Sequence, residues 1–175
     1  LVVYDQVIFL CKSNTCVSPM AEAIYRAKAA QEMPVSRSRG LVVLFEEPIS
    51  PKVDQLLIQH HLSLSKHRTS RALKKSDVTP STLVLTMTFG EKVQMLDDYP
   101  DAHVYTLGEY VGEDTDVPDP YGGDEEQYDQ LFDILCRRIE QMIAKLSDDN
   151  KAAKEAEVEE ALAIVQEMEK MEEDT

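Results

Sequence analysis

The sequence lacks long apolar runs and has few basic residues. No stretch reaches the roughly 18 consecutive apolar residues of a membrane-spanning helix, so we expect no membrane span. Residues 1–10 lack a basic start and a cleavage site, so they do not resemble a secretion signal. With 33 acidic and 18 basic residues, the net charge is −15. Such a charge argues against nucleic-acid binding, because phosphate backbones repel acidic surfaces.

Cysteine is also scarce. The three cysteines are Cys11, Cys16 and Cys136, an odd number with no second pair at the spacing of zinc ligands. This usage favours reduced thiols and therefore a cytoplasmic protein.

Short apolar runs alternate with amphipathic segments. The runs at residues 7–10, 35–44, 83–87 and 103–107 predict strands. Helices are predicted to begin at Ser18-Pro19 and to cover residues 51–61, 91–98 and 125–146. Strands that alternate with helices indicate one α/β domain with a parallel sheet and right-handed crossovers.

The last 28 residues differ in composition from the rest. Between residues 148 and 175, eleven residues are acidic and three are basic, yet Val158, Leu162, Val165 and Met168 recur at about helical spacing. We therefore expect a domain at residues 1–147 and an acidic amphipathic helical tail at residues 148–175. Two roles stay open for this tail, a solvated helix or a helix for self-association or docking.

The segment from Cys11 to Val17 is a polar loop between the first strand and the first helix. In open α/β sheets, ligands bind at the carboxyl ends of strands. Loop amides and a helix N-terminus together form an anion cradle, and the same positive field lowers the pKa of a cysteine. The position therefore suits a thiolate nucleophile, although a buried core cysteine is an alternative on these residues alone.

The string VIFLCKSNTCVSPMAEAIYR resembles the first strand, loop and helix of the low-molecular-weight protein tyrosine phosphatases. The later string DVPDPYGG resembles the acid loop of this family, and residues 36–40, 65–73 and 83–88 resemble other family segments. The match runs from about residue 7 to residue 146. It implies a flavodoxin-like three-layer α/β sandwich whose four-stranded parallel sheet has the order 2-1-3-4, plus the C-terminal tail.

The resemblance assigns roles to individual residues. It makes Cys11 the nucleophile and Asp119 the general acid of a reaction that passes through a cysteinyl-phosphate, with no metal and no cofactor. It implies a phosphate-binding loop made of Lys12, Ser13, Asn14, Thr15, Cys16, Val17 and Ser18.

Further family roles fall on members of this loop and on two residues outside it. Asn14 shapes the loop, Ser18 eases the departure of the thiolate, and Cys16 can pair with the nucleophile on oxidation. His67 is expected to bond to Asn14, while Thr15 and Tyr121 are expected to line the substrate pocket.

Two residues depart from the family pattern. Ser13 replaces a glycine that can adopt an unusual backbone conformation. Val17 replaces an arginine that binds two phosphate oxygens and stabilises the transferring group. We expect this second change to reduce activity strongly. Cations that could replace the arginine are Lys12, Arg37, Arg39, Arg68 and Arg71.

The implied function is hydrolysis of a phosphorylated protein or a small phosphate ester. Thr15 and Tyr121-Gly122 resemble the bacterial branch that includes protein-arginine phosphatases, so phosphotyrosine and phosphoarginine both stay open. Arsenate reductases share the loop but need further cysteines, and residues 75–100 contain none. The alternative function is a pseudophosphatase that binds phosphoproteins or other anions without turnover.

Overall fold

The computed structural model describes residues 1–64 and 66–175, so residue 65 of the predicted family segment 65–73 lies outside the described residues. Four parallel strands form one sheet with the order β2-β1-β3-β4. This order confirms the prediction from the sequence. The strands are β1 (Gln6–Cys11), β2 (Val35–Gly40), β3 (Thr82–Thr86) and β4 (His103–Thr106).

Helices cover both faces of the sheet. They are α1 (Val17–Lys28), α2 (Pro51–Gln59), α3 (Phe89–Asp98), the short α4 (Leu107–Tyr110) and α5 (Glu125–Glu173), with a 3-10 turn at Lys75–Asp77. Along the central strand β1, Val7 and Phe9 join the core under α1, α2 and α5, whereas Ile8 and Leu10 join the core under α3. The alternation of apolar side chains along a strand buried on both faces therefore builds a three-layer sandwich.

The second strand ends earlier than the sequence predicts, at Gly40 instead of residue 44. After Gly40 the chain follows the loop that β1 leads into, since Leu41 N donates to Cys11 O at 3.0 Å and Val42 N donates to Lys12 O at 2.9 Å. A Cβ atom on Gly40 would lie 3.1 Å from Asn14 Cβ and 2.6 Å from a methyl group of the neighbouring Val43. Glycine is thus required where the two segments approach each other.

Helix α5 is a single helix of 49 residues, roughly 70 Å long, so the predicted helix 125–146 and the tail are continuous. Buried contacts extend beyond residue 147 to Asn150 and Ala153. Asn150 accepts a bond from Tyr4 N and donates to Tyr4 O, both at 2.9 Å. Further along, the apolar side chains are exposed. In the described part of the chain, neither α5 nor any other helix has the length and apolar character that a membrane span requires.

Candidate active site

The loop after β1 is shaped by Asn14, which is fully buried and has a left-handed backbone with φ of 57°. Asparagine adopts this conformation more readily than most residues. Its side-chain amide forms hydrogen bonds through both its nitrogen and its oxygen. Asn14 Nδ2 donates to Ser18 Oγ at 2.9 Å and to Ser38 Oγ at 3.1 Å, while Asn14 Oδ1 accepts from Arg71 N at 2.8 Å. Asn14 thus ties the loop to α1 and β2.

His67 completes this buried arrangement. Its Nε2 lies 3.0 Å from Asn14 Oδ1, which confirms the predicted bond, and its Nδ1 lies 3.0 Å from Glu22 Oε2. Ser38 Oγ donates to the same Glu22 oxygen at 2.6 Å. Burial would raise the pKa of Glu22, but the bonds from His67 and Ser38 hold it below its ordinary value. We call Asn14, Ser18, Glu22, Ser38 and His67 the buried network.

Cys11 lies where the buried network meets the loop. Its Sγ is 2.9 Å from Ser18 Oγ and accepts a bond from Asn14 N at 3.3 Å. Burial raises the pKa of the Cys11 thiol, and the charge of Glu91 raises it further. Bonds from the Ser18 hydroxyl and from the Ser18 and Asn14 backbone amides oppose this shift without cancelling it. The sequence-based expectation of a lowered pKa is therefore wrong in direction, because burial outweighs the bonds that favour the thiolate.

Two local expectations about the loop are also corrected. The sequence predicts that α1 begins at Ser18-Pro19, but the helix begins at Val17 and the Ser18 hydroxyl faces the Cys11 thiol. Among the described residues, Asn14 and His61 are the non-glycine residues with positive φ. Ser13 therefore avoids the conformation that would favour glycine, and its hydroxyl lies 2.9 Å from that of Thr15.

The acid loop is fixed over the end of β3 by two bonds. Val117 N donates to Met87 O at 2.9 Å, and Phe89 N donates to Asp116 Oδ1 at 3.0 Å. These bonds hold the segment that contains Asp119, and Asp119 and Cys11 both line a cavity of about 30 Å³. The structure thus brings the predicted nucleophile and the predicted acid to one cleft, which we call the catalytic cleft.

Cys16 lies beside both of these residues. Burial raises its pKa to about 12, and the neighbouring Asp119 and Cys11 add to this shift. All three cysteines of the chain are free thiols. The predicted pairing of Cys11 with Cys16 on oxidation stays a prediction.

The two residues expected at the substrate pocket lie outside the lining of the catalytic cleft. Tyr121 is 92% exposed, and its backbone N donates to Asp119 Oδ1 at 3.0 Å. Thr15 is half-buried, and its carbonyl accepts a bond from Ser50 N at 2.9 Å. Their role toward a substrate stays a prediction.

Val17 is 3% exposed and packs in the hydrophobic core while its side chain lines the catalytic cleft. None of the four candidate arginines lines this cleft. Arg37 and Arg39 pair with Asp77, and Arg68 binds both oxygens of Asp54. Of the cations in the described part of the chain, Lys12 alone lines the catalytic cleft, and its side chain is exposed.

Glu91 also lines the catalytic cleft, although it was not among the predicted site residues. It is the third residue of α3, and its carboxylate accepts bonds from Met87 N at 3.1 Å and Thr88 N at 3.0 Å. Burial raises its pKa, although these bonds oppose the shift. The spacing from Thr88 to Glu91 is a capping box directly after a predicted strand, which could have placed this carboxylate at the cleft.

Residues 6–152 match the family model described as low molecular weight phosphotyrosine protein phosphatase. The chain belongs to this family. Low molecular weight protein-tyrosine-phosphatase PtpB of Staphylococcus aureus is 35% identical over 147 residues, which are 82% of this chain and 97% of that protein. The protein-arginine-phosphatase of Bacillus subtilis is 34% identical over 151 residues, covering 83% and 99%.

Solved structures agree with this membership in the low-molecular-weight phosphatases. The YwlE arginine phosphatase of Geobacillus stearothermophilus superposes with a TM-score of 0.76 at 30% identity, covering 84% of this chain and 96% of that one. The low molecular weight protein tyrosine phosphatase of T. tengcongensis gives a TM-score of 0.73 at 33% identity, covering 80% and 98%. The family match ends at residue 152, close to Ala153, where burial along α5 also ends.

Proposed function

We propose that this chain hydrolyses phosphate bonds on proteins through a cysteinyl-phosphate, with Cys11 as nucleophile and Asp119 as general acid. One observation carries the proposal. The Cys11 thiol, bonded to Ser18 and to the Asn14 amide, lies in the same cleft as Asp119. The loop after β1 supplies Cys11 and Ser18, and the acid loop supplies Asp119, so two segments of the chain contribute the proposed nucleophile, leaving-group stabiliser and proton donor.

The reaction has two steps. In the first, the Cys11 thiolate forms a bond to phosphorus while the bond from phosphorus to the leaving group breaks, and Asp119 gives its proton to that group. In the second, Asp119 takes a proton from water, and the resulting hydroxide attacks phosphorus and expels the thiolate. The Ser18 hydroxyl, 2.9 Å from Sγ, stabilises the departing sulfur.

Two features of the catalytic cleft slow this chemistry. Val17 offers no donor to the phosphoryl oxygens, and loss of one such electrostatic contact costs roughly 10²–10³ in rate. Glu91 adds a carboxylate that repels a phosphate dianion and disfavours the thiolate. We therefore propose a low basal activity.

The substrate class follows from the relatives' names, which include protein-tyrosine and protein-arginine phosphatases. We propose a phosphotyrosine or phosphoarginine protein as substrate. Both leaving groups need the proton that Asp119 supplies. The reduced thiol of Cys11, which the mechanism needs, fits a cytoplasmic location.

Trapping the intermediate tests this proposal. Wild type and Cys11→Ser are incubated with an aryl phosphate, quenched in acid and examined by peptide mass spectrometry. We expect phosphate on the peptide that contains Cys11, with slow steady turnover, and no turnover by Cys11→Ser. If phosphopeptide binds equally to both proteins while wild type forms neither cysteinyl-phosphate nor product, the chain is a binding module instead of an enzyme.

We also propose that the exposed end of α5 mediates self-association. Val158, Leu162 and Val165 are each about half exposed on one helix, and the domain leaves this apolar stripe uncovered. Truncation after Ala156 should leave the domain folded and lower its sedimentation coefficient to that of a monomer. An unchanged oligomeric state after truncation would exclude this role.

A further inference from the structure

A large cleft lies beside the free edge of the sheet, between α1 and the edge strand β2. Its volume is about 710 Å³, which is within the range of small-molecule sites. The cleft is distinct from the catalytic cleft, because it contains neither Cys11 nor Asp119. We call it the cationic cleft. Its walls carry five basic side chains, which are Arg26, Arg37, Arg39, Lys66 and Arg71.

The charge of this cleft is opposite to that of the whole chain. Glu22 lies in the lining of the cleft, and Asp77, which lies outside the lining, pairs with two of the five cations. Asp77 pairs with Arg37 at 3.7 Å and with Arg39 at 3.2 Å, while Glu22 lies 3.9 Å from Arg26 and is engaged in the buried network. The five cations and these two carboxylates together leave a net charge of +3 at the cleft, although the whole chain has a net charge of −15. A concave surface of one sign concentrates ions of the opposite sign.

Lys66 and Arg71 have no carboxylate partner among the residues that the structure describes. The Arg71 backbone N is held by Asn14 Oδ1 at 2.8 Å, which fixes the base of this side chain beside the cleft. An anchored guanidinium without a carboxylate can bind two oxygens of an anion.

Ser36 points to a polar ligand independently of these charges. Ser36 is part of the cleft lining. Its hydroxyl oxygen is the one buried side-chain polar atom without a hydrogen-bond partner in the described part of the chain. A buried hydroxyl without a partner is costly, and a ligand oxygen would satisfy it.

We propose that the cationic cleft binds a small ligand that carries two or more phosphate groups. The cleft is much larger than one phosphate group, and its cations lie on α1, on β2 and at residues 66 and 71, so they can contact phosphate groups at separate points. Apolar side chains of Tyr25, Met33 and Pro34 along the same cleft accommodate an uncharged part of the ligand. The site does not depend on the proposed phosphatase activity, since it contains none of the reacting groups.

Calorimetric titration of the full chain with inorganic pyrophosphate at low ionic strength tests the proposal. We expect binding to wild type that weakens with added salt. The double variant Arg26→Glu/Lys66→Glu should lose about tenfold or more in affinity, because charge-assisted bonds become repulsive. Ser36→Ala should lose roughly threefold, since one hydrogen bond disappears while every charge stays.

The matched control is Lys151→Glu/Lys154→Glu, which makes the same charge change on exposed residues of α5. It should change the affinity by less than about twofold. The proposal is overturned if wild type fails to bind at millimolar pyrophosphate, if the control loses as much affinity as the cleft variant, or if both cleft variants bind as wild type does. A loss confined to Lys12→Glu would place the bound anion in the catalytic cleft and also overturn it.

Discussion

At the scale of single residues, the reactivity of Cys11 is decided by the balance between burial and the groups that stabilise its thiolate. Ser18 and the Asn14 amide favour the charged form, whereas burial and the Glu91 carboxylate favour the neutral thiol. An arginine at position 17 would shift this balance by placing a positive charge beside the sulfur. Val17 leaves burial dominant, so the thiol is less acidic than the loop geometry alone implies.

The pH dependence of Cys11 alkylation follows from this balance. Because the pKa of the thiol is raised above its ordinary value of 9.0, the alkylation rate with iodoacetamide should reach half its maximum only above that pH. Peptide mass spectrometry separates Cys11 from Cys16 and Cys136. A midpoint near neutral pH would contradict the proposed dominance of burial.

A second residue-scale prediction concerns Glu91. Glu91→Gln removes a negative charge from the catalytic cleft but retains the bonds to Met87 N and Thr88 N, since glutamine also serves in a capping box. We expect kcat/KM for an aryl phosphate to rise roughly threefold to tenfold, because the dianion and the thiolate are repelled less.

Glu109→Gln is the control for this prediction. Glu109 is the third residue of α4 and closes a capping box with Thr106, and it does not line the catalytic cleft. This variant should leave kcat/KM unchanged. Equal effects of the two substitutions would show that the gain has nothing to do with charge at the cleft.

At the scale of elements, α5 is one continuous helix whose first part packs on the domain and whose last part is exposed to solvent. Its first 29 residues pack on α1, α2 and α4 and end at Ala153, whereas its last 20 residues leave apolar side chains in solvent. Asn150 fixes the transition, because its side chain bonds to both backbone groups of Tyr4, next to the start of β1.

Asn150→Ala should therefore lower the free energy of unfolding by about 1–3 kcal/mol, since two backbone groups of Tyr4 lose their partner. Urea unfolding followed by circular dichroism measures this. Gln166→Ala, on the exposed part of the same helix, should change the free energy by less than about 0.5 kcal/mol. If the two variants unfold alike, residues near Asn150 do not belong to the cooperative domain.

The elements also show which features the sequence could predict. The order of the four strands and the positions of α1, α2, α3 and the first part of α5 follow from periodicity together with the family resemblance. The end of β2 at Gly40 and the unbroken course of α5 could not be predicted. The end of β2 depends on the contact of Gly40 with the loop, and the packed part of α5 is bonded through Asn150 to a residue 146 positions away.

At the scale of the whole molecule, the buried network joins the loop after β1 to α1, to β2 and to the segment around His67. Its residues were partly predictable, because Asn14, Ser18 and His67 match family positions. The contributions of Glu22 and Ser38 were not, since their bonds to His67 exist only when α1 and β2 are packed together.

This network predicts sensitivity to acid. The folded-state pKa of Glu22 is lower than its ordinary value of 4.5, so its ionised form stabilises the fold above that pH. This contribution is lost as the pH falls through the folded-state pKa. Glu22→Gln should be less stable than wild type at neutral pH but should lose less stability on acidification, as urea unfolding at a series of pH values would show.

Glu140→Gln is the matched control, because Glu140 forms an exposed ion pair with Lys28. Its acid-induced loss of stability should equal that of wild type. A Glu22→Gln protein whose stability falls as steeply as that of wild type would show that the acid sensitivity arises elsewhere.

Kinetics of Val17→Arg test the central claim most directly. We expect Val17→Arg to raise kcat/KM for an aryl phosphate by roughly 100-fold or more, since the guanidinium restores the missing contact with the phosphoryl oxygens. Val17→Met, which lengthens the side chain without adding charge, should bring no gain. A wild type as fast as relatives with the arginine, or a folded Val17→Arg with no gain, would contradict the claim that Val17 limits this site.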